Sequence, residues 1–130
     1  MNHGSKTFIR VLAIIALIGV AFIFLRNKNN KPENNKPEIK DIILFYKDGC
    51  PACAAVEDFL KQNDIESKVD FSKLEVYYNK SNANLLLEKA KVCNIPEQDL
   101  GVPFIWDNAN SRCLIGVQDI INFFKEKAGI

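Results

Sequence analysis

The sequence predicts an α/β fold: a small mixed sheet in the order βαβ then ββα, covered by helices on both faces as a three-layer sandwich and preceded by one apolar N-terminal helix. Three observations carry this expectation. Short apolar runs alternate with stretches of helical periodicity through the middle of the chain. Two further apolar runs near the C-terminus are separated by the turn-rich residues Asp107-Asn108-Ala109-Asn110-Ser111, which suggests a hairpin. The third observation is the run FIRVLAIIALIGVAFIFL at residues 8–25, whose only charge is Arg10.

That N-terminal run follows a tail of residues 1–7. Its eighteen residues span roughly 27 Å as a helix, close to the hydrocarbon thickness of a bilayer, and Arg10 near one end can snorkel to the headgroups. A cleaved signal peptide is the competing reading, since Lys6 and Arg10 resemble a positive leader region. The residues after the run, Arg26-Asn27-Lys28, offer no small-residue cleavage pattern, which favours an uncleaved anchor. Basic residues flank both ends of the run, so the positive-inside rule sets no orientation.

Residues 26–40 (RNKNNKPENNKPEIK) hold five Asn, five Lys or Arg, and Lys-Pro-Glu twice. They are read as a solvated spacer of roughly 45 Å reach. The charge divides at this point. Residues 1–40 carry net +5 and residues 41–130 carry net −4, so the overall +1 hides two unlike halves. Neither a basic nucleic-acid binder nor an acidic tail fits this balance. Residues 41–130 remain for one compact domain.

Within that domain, DIILFYK at residues 41–47 reads as a strand buried on both faces in a parallel pair. Asp48-Gly49 turns the chain into Cys50-Pro51-Ala52-Cys53. Val56, Phe59 and Leu60 then continue at helical spacing to about Asn63, with Pro51 in the first turn, where helices accept proline. KLEVYY at residues 73–78 reads as the second strand. Ala83, Leu86, Leu87 and Ala90 mark a second helix capped near Ser81 or Asn82 and closed by Cys93-Asn94. VPFIW (102–106) and RCLIG (112–116) form the hairpin, and Asp119 is expected to cap a last helix that turns Ile120, Ile121, Phe123 and Phe124 inward.

The chemistry centres on Cys50 and Cys53. A thiol attacks a disulfide only as the thiolate, so a working redox cysteine needs a lowered pKa. At a helix N-terminus, Cys50 would face unpaired backbone N–H groups and the positive end of the helix dipole. Cys53, one turn later on nearly the same face, can resolve a mixed disulfide formed at Cys50. Cys50 is therefore the nucleophile and Cys53 the resolving thiol. Pro51 stiffens the turn and Ala52 brings neither cation nor donor, which suggests an intermediate redox poise. The competing reading is half of a zinc or copper site, used for metal delivery. His3 lies beyond the apolar run, Cys93 and Cys113 are twenty residues apart and form no second knuckle, and so no metal is expected.

Strand, DGCPAC, helix and then Gly101-Val102-Pro103 opening a later strand resemble the thioredoxin-fold superfamily over about residues 41–127. The resemblance implies a cis proline at Pro103, set against the CxxC, with Val102 and Pro103 offering a backbone edge to the substrate. Within the superfamily the chain looks most like glutaredoxins. Lys47 matches their lysine three residues before CPxC, Val102-Pro103 matches, and Gly116 and Asp119 match part of their Gly-Gly-x-x-Asp. Lys47 and Asp119 would then be substrate-binding; without the resemblance they read as a strand-end lysine and a helix cap. Ile115 and Gly101 depart from residues that glutaredoxins carry near glutathione. Thioredoxins proper differ at Gly49 and Pro51-Ala52, and Leu44 stands where they carry a buried acid.

Cys93 and Cys113 remain open between inert buried thiols, a bridge and a second dithiol. A bridge would close a loop of about twenty residues and add about 3 kcal/mol in the chain-entropy view. An even cysteine count on a tethered thiol protein fits the oxidising side of a membrane, with the N-terminus cytoplasmic and the domain extracytoplasmic. The expected function is a membrane-anchored thiol–disulfide oxidoreductase. Its partners would be protein thiols and disulfides or a membrane redox partner, and its only redox group the Cys50–Cys53 disulfide, with glutathione entering if the glutaredoxin likeness extends to function.

Overall fold

The computed structural model describes residues 38–130. The anchor, the N-terminal tail and most of the spacer expected from the sequence lie outside the described residues. Among the described residues no helix is long and apolar enough to cross a membrane. Four strands, β1 (Ile42–Tyr46), β2 (Ser72–Glu75), β3 (Phe104–Asp107) and β4 (Arg112–Ile115), alternate with three helices, α1 (Pro51–Gln62), α2 (Lys80–Val92) and α3 (Val117–Ala128). The element order is βαβ then αββα, an α/β fold with a mixed sheet.

The sheet order is β2-β1-β3-β4. β1 runs parallel to β2 and antiparallel to β3, and β3 runs antiparallel to β4. Central β1 and β3 are apolar on both faces, and the two-residue period of a strand sorts their side chains into two cores. Ile42, Leu44 and Ile105 face α1 and α3, where Val56, Leu60, Ile120, Phe123 and Phe124 close over them. Ile43, Phe45, Phe104 and Trp106 face the other way and meet Leu86 of α2. Burying each large apolar side chain contributes about 1.5–3 kcal/mol, so each helix is held chiefly by its inward stripe. The result places α1 and α3 on one face and α2 on the other.

α2 starts beyond the end of β2, at one sheet edge. Its C-cap, Cys93, is bonded to Cys113 of β4 at the other edge, with Cα atoms 6.2 Å apart. The bridge reading of these two cysteines is therefore the one the structure adopts, and α2 crosses the sheet diagonally between its two tethers.

Several boundaries differ from the sequence expectation for identifiable reasons. Ile39 packs against the α2-side core and the Lys40 backbone N–H donates to Ser72 Oγ at 3.0 Å, so the folded part begins before residue 41. β2 stops at Glu75 instead of Tyr78, because the Glu75 carboxylate captures the N–H groups of Tyr77 and Tyr78. Asn79, instead of Ser81 or Asn82, caps α2, its side chain accepting from the N–H of both those residues. Asp119 is not a cap: α3 starts after Gly116, whose φ of 99° suits glycine, and Asp119 sits within the first turn.

Candidate functional site

β1 delivers the chain to the C-terminal edge of the sheet, and Lys47-Asp48-Gly49 turns it into α1. Gly49 takes φ 73°, a left-handed conformation that costs glycine little. The turn closes with the Cys50 N–H donating to the Lys47 carbonyl at 3.4 Å. Cys50 is the N-cap of α1, extended at φ −88° and ψ 117°, and Pro51 opens the first turn. A cap residue is well placed to accept from the orphan N–H groups of the next turn. Here the acceptor is sulfur, and the Cys53 backbone N–H donates to Cys50 Sγ at 3.3 Å.

The two thiols occupy unlike surroundings. Cys50 is half-buried, whereas Cys53 is 7% exposed on the inner side of the helix. Partial burial pushes the Cys50 thiol up, but hydrogen bonding from the Cys53 thiol and from the N–H groups of Cys53 and Ala52, with the Lys47 charge, outweighs it and holds Cys50 below the ordinary thiol value. Cys53 goes the other way. Burial and its hydrogen bond to Cys50 push it up to about 11. At neutral pH the half-buried Cys50 sulfur is the better thiolate and the covered Cys53 keeps its proton.

Pro103 is fully buried and follows a cis Val102–Pro103 peptide. The Val102 carbonyl lies 3.9 Å from Cys50 Sγ and accepts from its thiol. The β1–β3 pairing explains the meeting, since antiparallel register sets Phe45 opposite Phe104 and so brings the start of β3 to the end of β1. A cavity of about 520 Å³ opens here, with Lys47, Cys50, Cys53 and Pro103 in its wall. Four residues singled out from the sequence thus share one cavity, and Val102 touches Cys50. Asp119 does not line it and instead borders a separate depression with Arg112, Asn122 and Glu126. Leu44 forms part of the apolar floor.

The sequence reading missed the far wall of this cavity, made by Glu57 and Lys73. Lys73 Nζ lies 2.9 Å from Glu57 Oε1 and 2.8 Å from Glu66 Oε1. Glu57 stands four residues after Cys53, a spacing that puts both on one helix face and was visible in principle. Lys73 could be placed only through the β1–β2 register. Among the described residues no group of three or more His, Cys, Asp or Glu side chains is positioned to hold a metal ion.

No family model, no curated protein and no solved structure matches this chain.

Proposed function

We propose that the chain is a membrane-anchored thiol–disulfide oxidoreductase with a thioredoxin-like domain, acting on exported proteins or on a membrane redox partner. The observation that carries the reading is the unlike pair of thiols at the start of α1: Cys50 half-buried and accepting an N–H, Cys53 covered and protonated. The cis Val102–Pro103 peptide beside Cys50 supports the thioredoxin-like assignment, as does the sheet order with helices on both faces. The anchor and the extracytoplasmic placement rest on the apolar run and on the Cys93–Cys113 bridge, which suits an oxidising compartment.

In the reductive direction the Cys50 thiolate attacks one sulfur of a substrate disulfide. The Cys50–substrate S–S bond forms as the substrate S–S bond breaks, and the departing thiolate takes up a proton. Cys53 then gives up its proton and attacks Cys50 Sγ. That step forms Cys50–Cys53 and releases the second substrate thiol, so the substrate gains two electrons and the dithiol loses two. A partner dithiol restores the pair. The oxidative direction is the same sequence reversed. Replacing Cys50 by Ser tests the reading through insulin reduction, where activity at the wild-type rate would sink it.

A further inference from the structure

Glu75 ends β2, and its carboxylate accepts the backbone N–H groups of Tyr77 at 2.7 Å, Tyr78 at 2.8 Å and Asn79 at 3.3 Å. The Asn82 side-chain amide donates to the Glu75 carbonyl at 2.8 Å. Glu75 therefore holds the N–H groups of Tyr77, Tyr78 and Asn79 in the β2–α2 loop. On this loop Tyr77 and Tyr78 are 62% and 76% exposed, their rings in edge-to-face contact at 4.8 Å. Neither ring belongs to either core. Two large aromatics are thus held in solvent by a loop that cannot fold them away.

Their position is tied to the nucleophile. Parallel pairing sets Tyr46 beside Glu75, and the Val76 N–H donates to the Tyr46 carbonyl at 3.0 Å, so the loop leaving β2 runs beside the turn that leads to Cys50. The Lys47 ammonium sits 4.5 Å from the Tyr77 ring centroid, and Lys47 lines the Cys50 cavity. Tyr77 thus touches a residue of the cavity wall, and Tyr78 stands against Tyr77. Rigid aromatic rings give large contact area at a low entropic cost, a recurring trait of recognition surfaces.

Building on the oxidoreductase reading, we propose that Tyr77 and Tyr78 are specificity-determining residues that receive an aromatic or aliphatic side chain lying near the reacting cysteine of a polypeptide substrate. A small anionic thiol such as glutathione would call on a cation, but the Lys47 ammonium lies against the Tyr77 ring, Lys73 is paired with Glu57 and Glu66, and the exposed Tyr77 and Tyr78 are themselves uncharged. An apolar side chain is the complement of that surface. The bonds made and broken remain those of the exchange at Cys50; the tyrosines touch only the flanking segment.

The test compares two short peptides, each joined through one cysteine to cysteamine and differing only in a Phe or a Ser near that cysteine, with cystamine as a substrate that has no flanking segment. The reduced full chain should exchange with the Phe peptide about tenfold faster than with the Ser peptide. Tyr77→Ala with Tyr78→Ala should erase that preference, each peptide rate being taken relative to the same chain's cystamine rate, while Tyr77→Phe with Tyr78→Phe should keep it. No preference in the wild type, or a preference that survives the double alanine variant, would each overturn the inference. A wild-type chain inert even to cystamine would instead overturn the oxidoreductase reading beneath it.

Discussion

Cys53 donates its backbone N–H to Cys50 Sγ at 3.3 Å, so Cys53 holds the Cys50 sulfur through its main chain while its own thiol stays covered. Because this contact uses backbone, it survives replacement of the Cys53 side chain by any residue other than proline. Cys53→Ala therefore keeps this contact but loses the Cys53 thiol's own hydrogen bond to Cys50, so it removes the second thiol and part of what lowers Cys50 together.

The first consequence concerns pH. Cys50 is lowered and Cys53 raised to about 11, and only the thiolate alkylates. Iodoacetamide added to the reduced chain near neutral pH should modify Cys50 and spare Cys53. The rate at Cys50 should climb to its plateau below the pH at which an ordinary cysteine does. Peptide mapping of the modified chain across a pH series checks both statements, and equal labelling of the two cysteines at neutral pH would contradict them.

A second prediction concerns the bridge. Cys93–Cys113 closes a sequence separation of 20 residues and ties the end of α2 to edge strand β4. Replacing both cysteines by Ala should cost about 3 kcal/mol, read as a lower midpoint in urea, without abolishing exchange at Cys50. Trp106, the only tryptophan, lies directly opposite Cys113 across β3 and β4. Disulfide sulfur quenches indole emission, so breaking this bridge should brighten the tryptophan fluorescence.

Acid stability supplies a third. Asp107 is fully buried at the end of β3 remote from Cys50, with Lys127 3.4 Å away and the Asn110 amide donating to it at 2.7 Å. Burial pushes its carboxyl up, but Asn110, Lys127 and Arg112 outweigh this and hold it below the ordinary aspartate value. A carboxylate lowered by folding stabilises the fold above its unfolded pKa, and that contribution is lost as pH falls through the lowered folded value. Lys127→Met should raise the Asp107 pKa, move acid unfolding to higher pH and cost about 1–3 kcal/mol at neutral pH. The cost stays below that of a fully enclosed pair because Lys127 is 29% exposed and Arg112 remains nearby. Urea titrations of both chains at several pH values test this.

What could be read from the sequence follows the range of the interactions involved. The apolar runs of β1 and β3 and the stripe of α1 are local patterns, and Cys50 at the start of α1 follows from Asp-Gly before it and Pro after it. The end of β2 is not legible because Lys73 to Tyr78 has strand composition, while the strand is stopped by a side-chain carboxylate reaching its own backbone. Asp119 has the side chain of a cap, yet Gly116 supplies the required backbone turn three residues earlier. Ile39, one apolar residue in a polar spacer, carries no periodic signal. The Cys93–Cys113 bond and the Glu57–Lys73 wall depend on how α2 crosses the sheet and how β2 registers against β1, which no local pattern encodes.

The central claim is that Cys50 attacks and Cys53 resolves. Trapping tests it most directly. The full chain carrying Cys53→Ala, mixed with a disulfide-bonded protein substrate, should accumulate a mixed disulfide through Cys50, visible as a reductant-sensitive species of the summed mass, whereas Cys50→Ala should give none. A Cys50→Ala chain that traps substrate as well as Cys53→Ala, or a Cys53→Ala chain that traps none, would contradict the account.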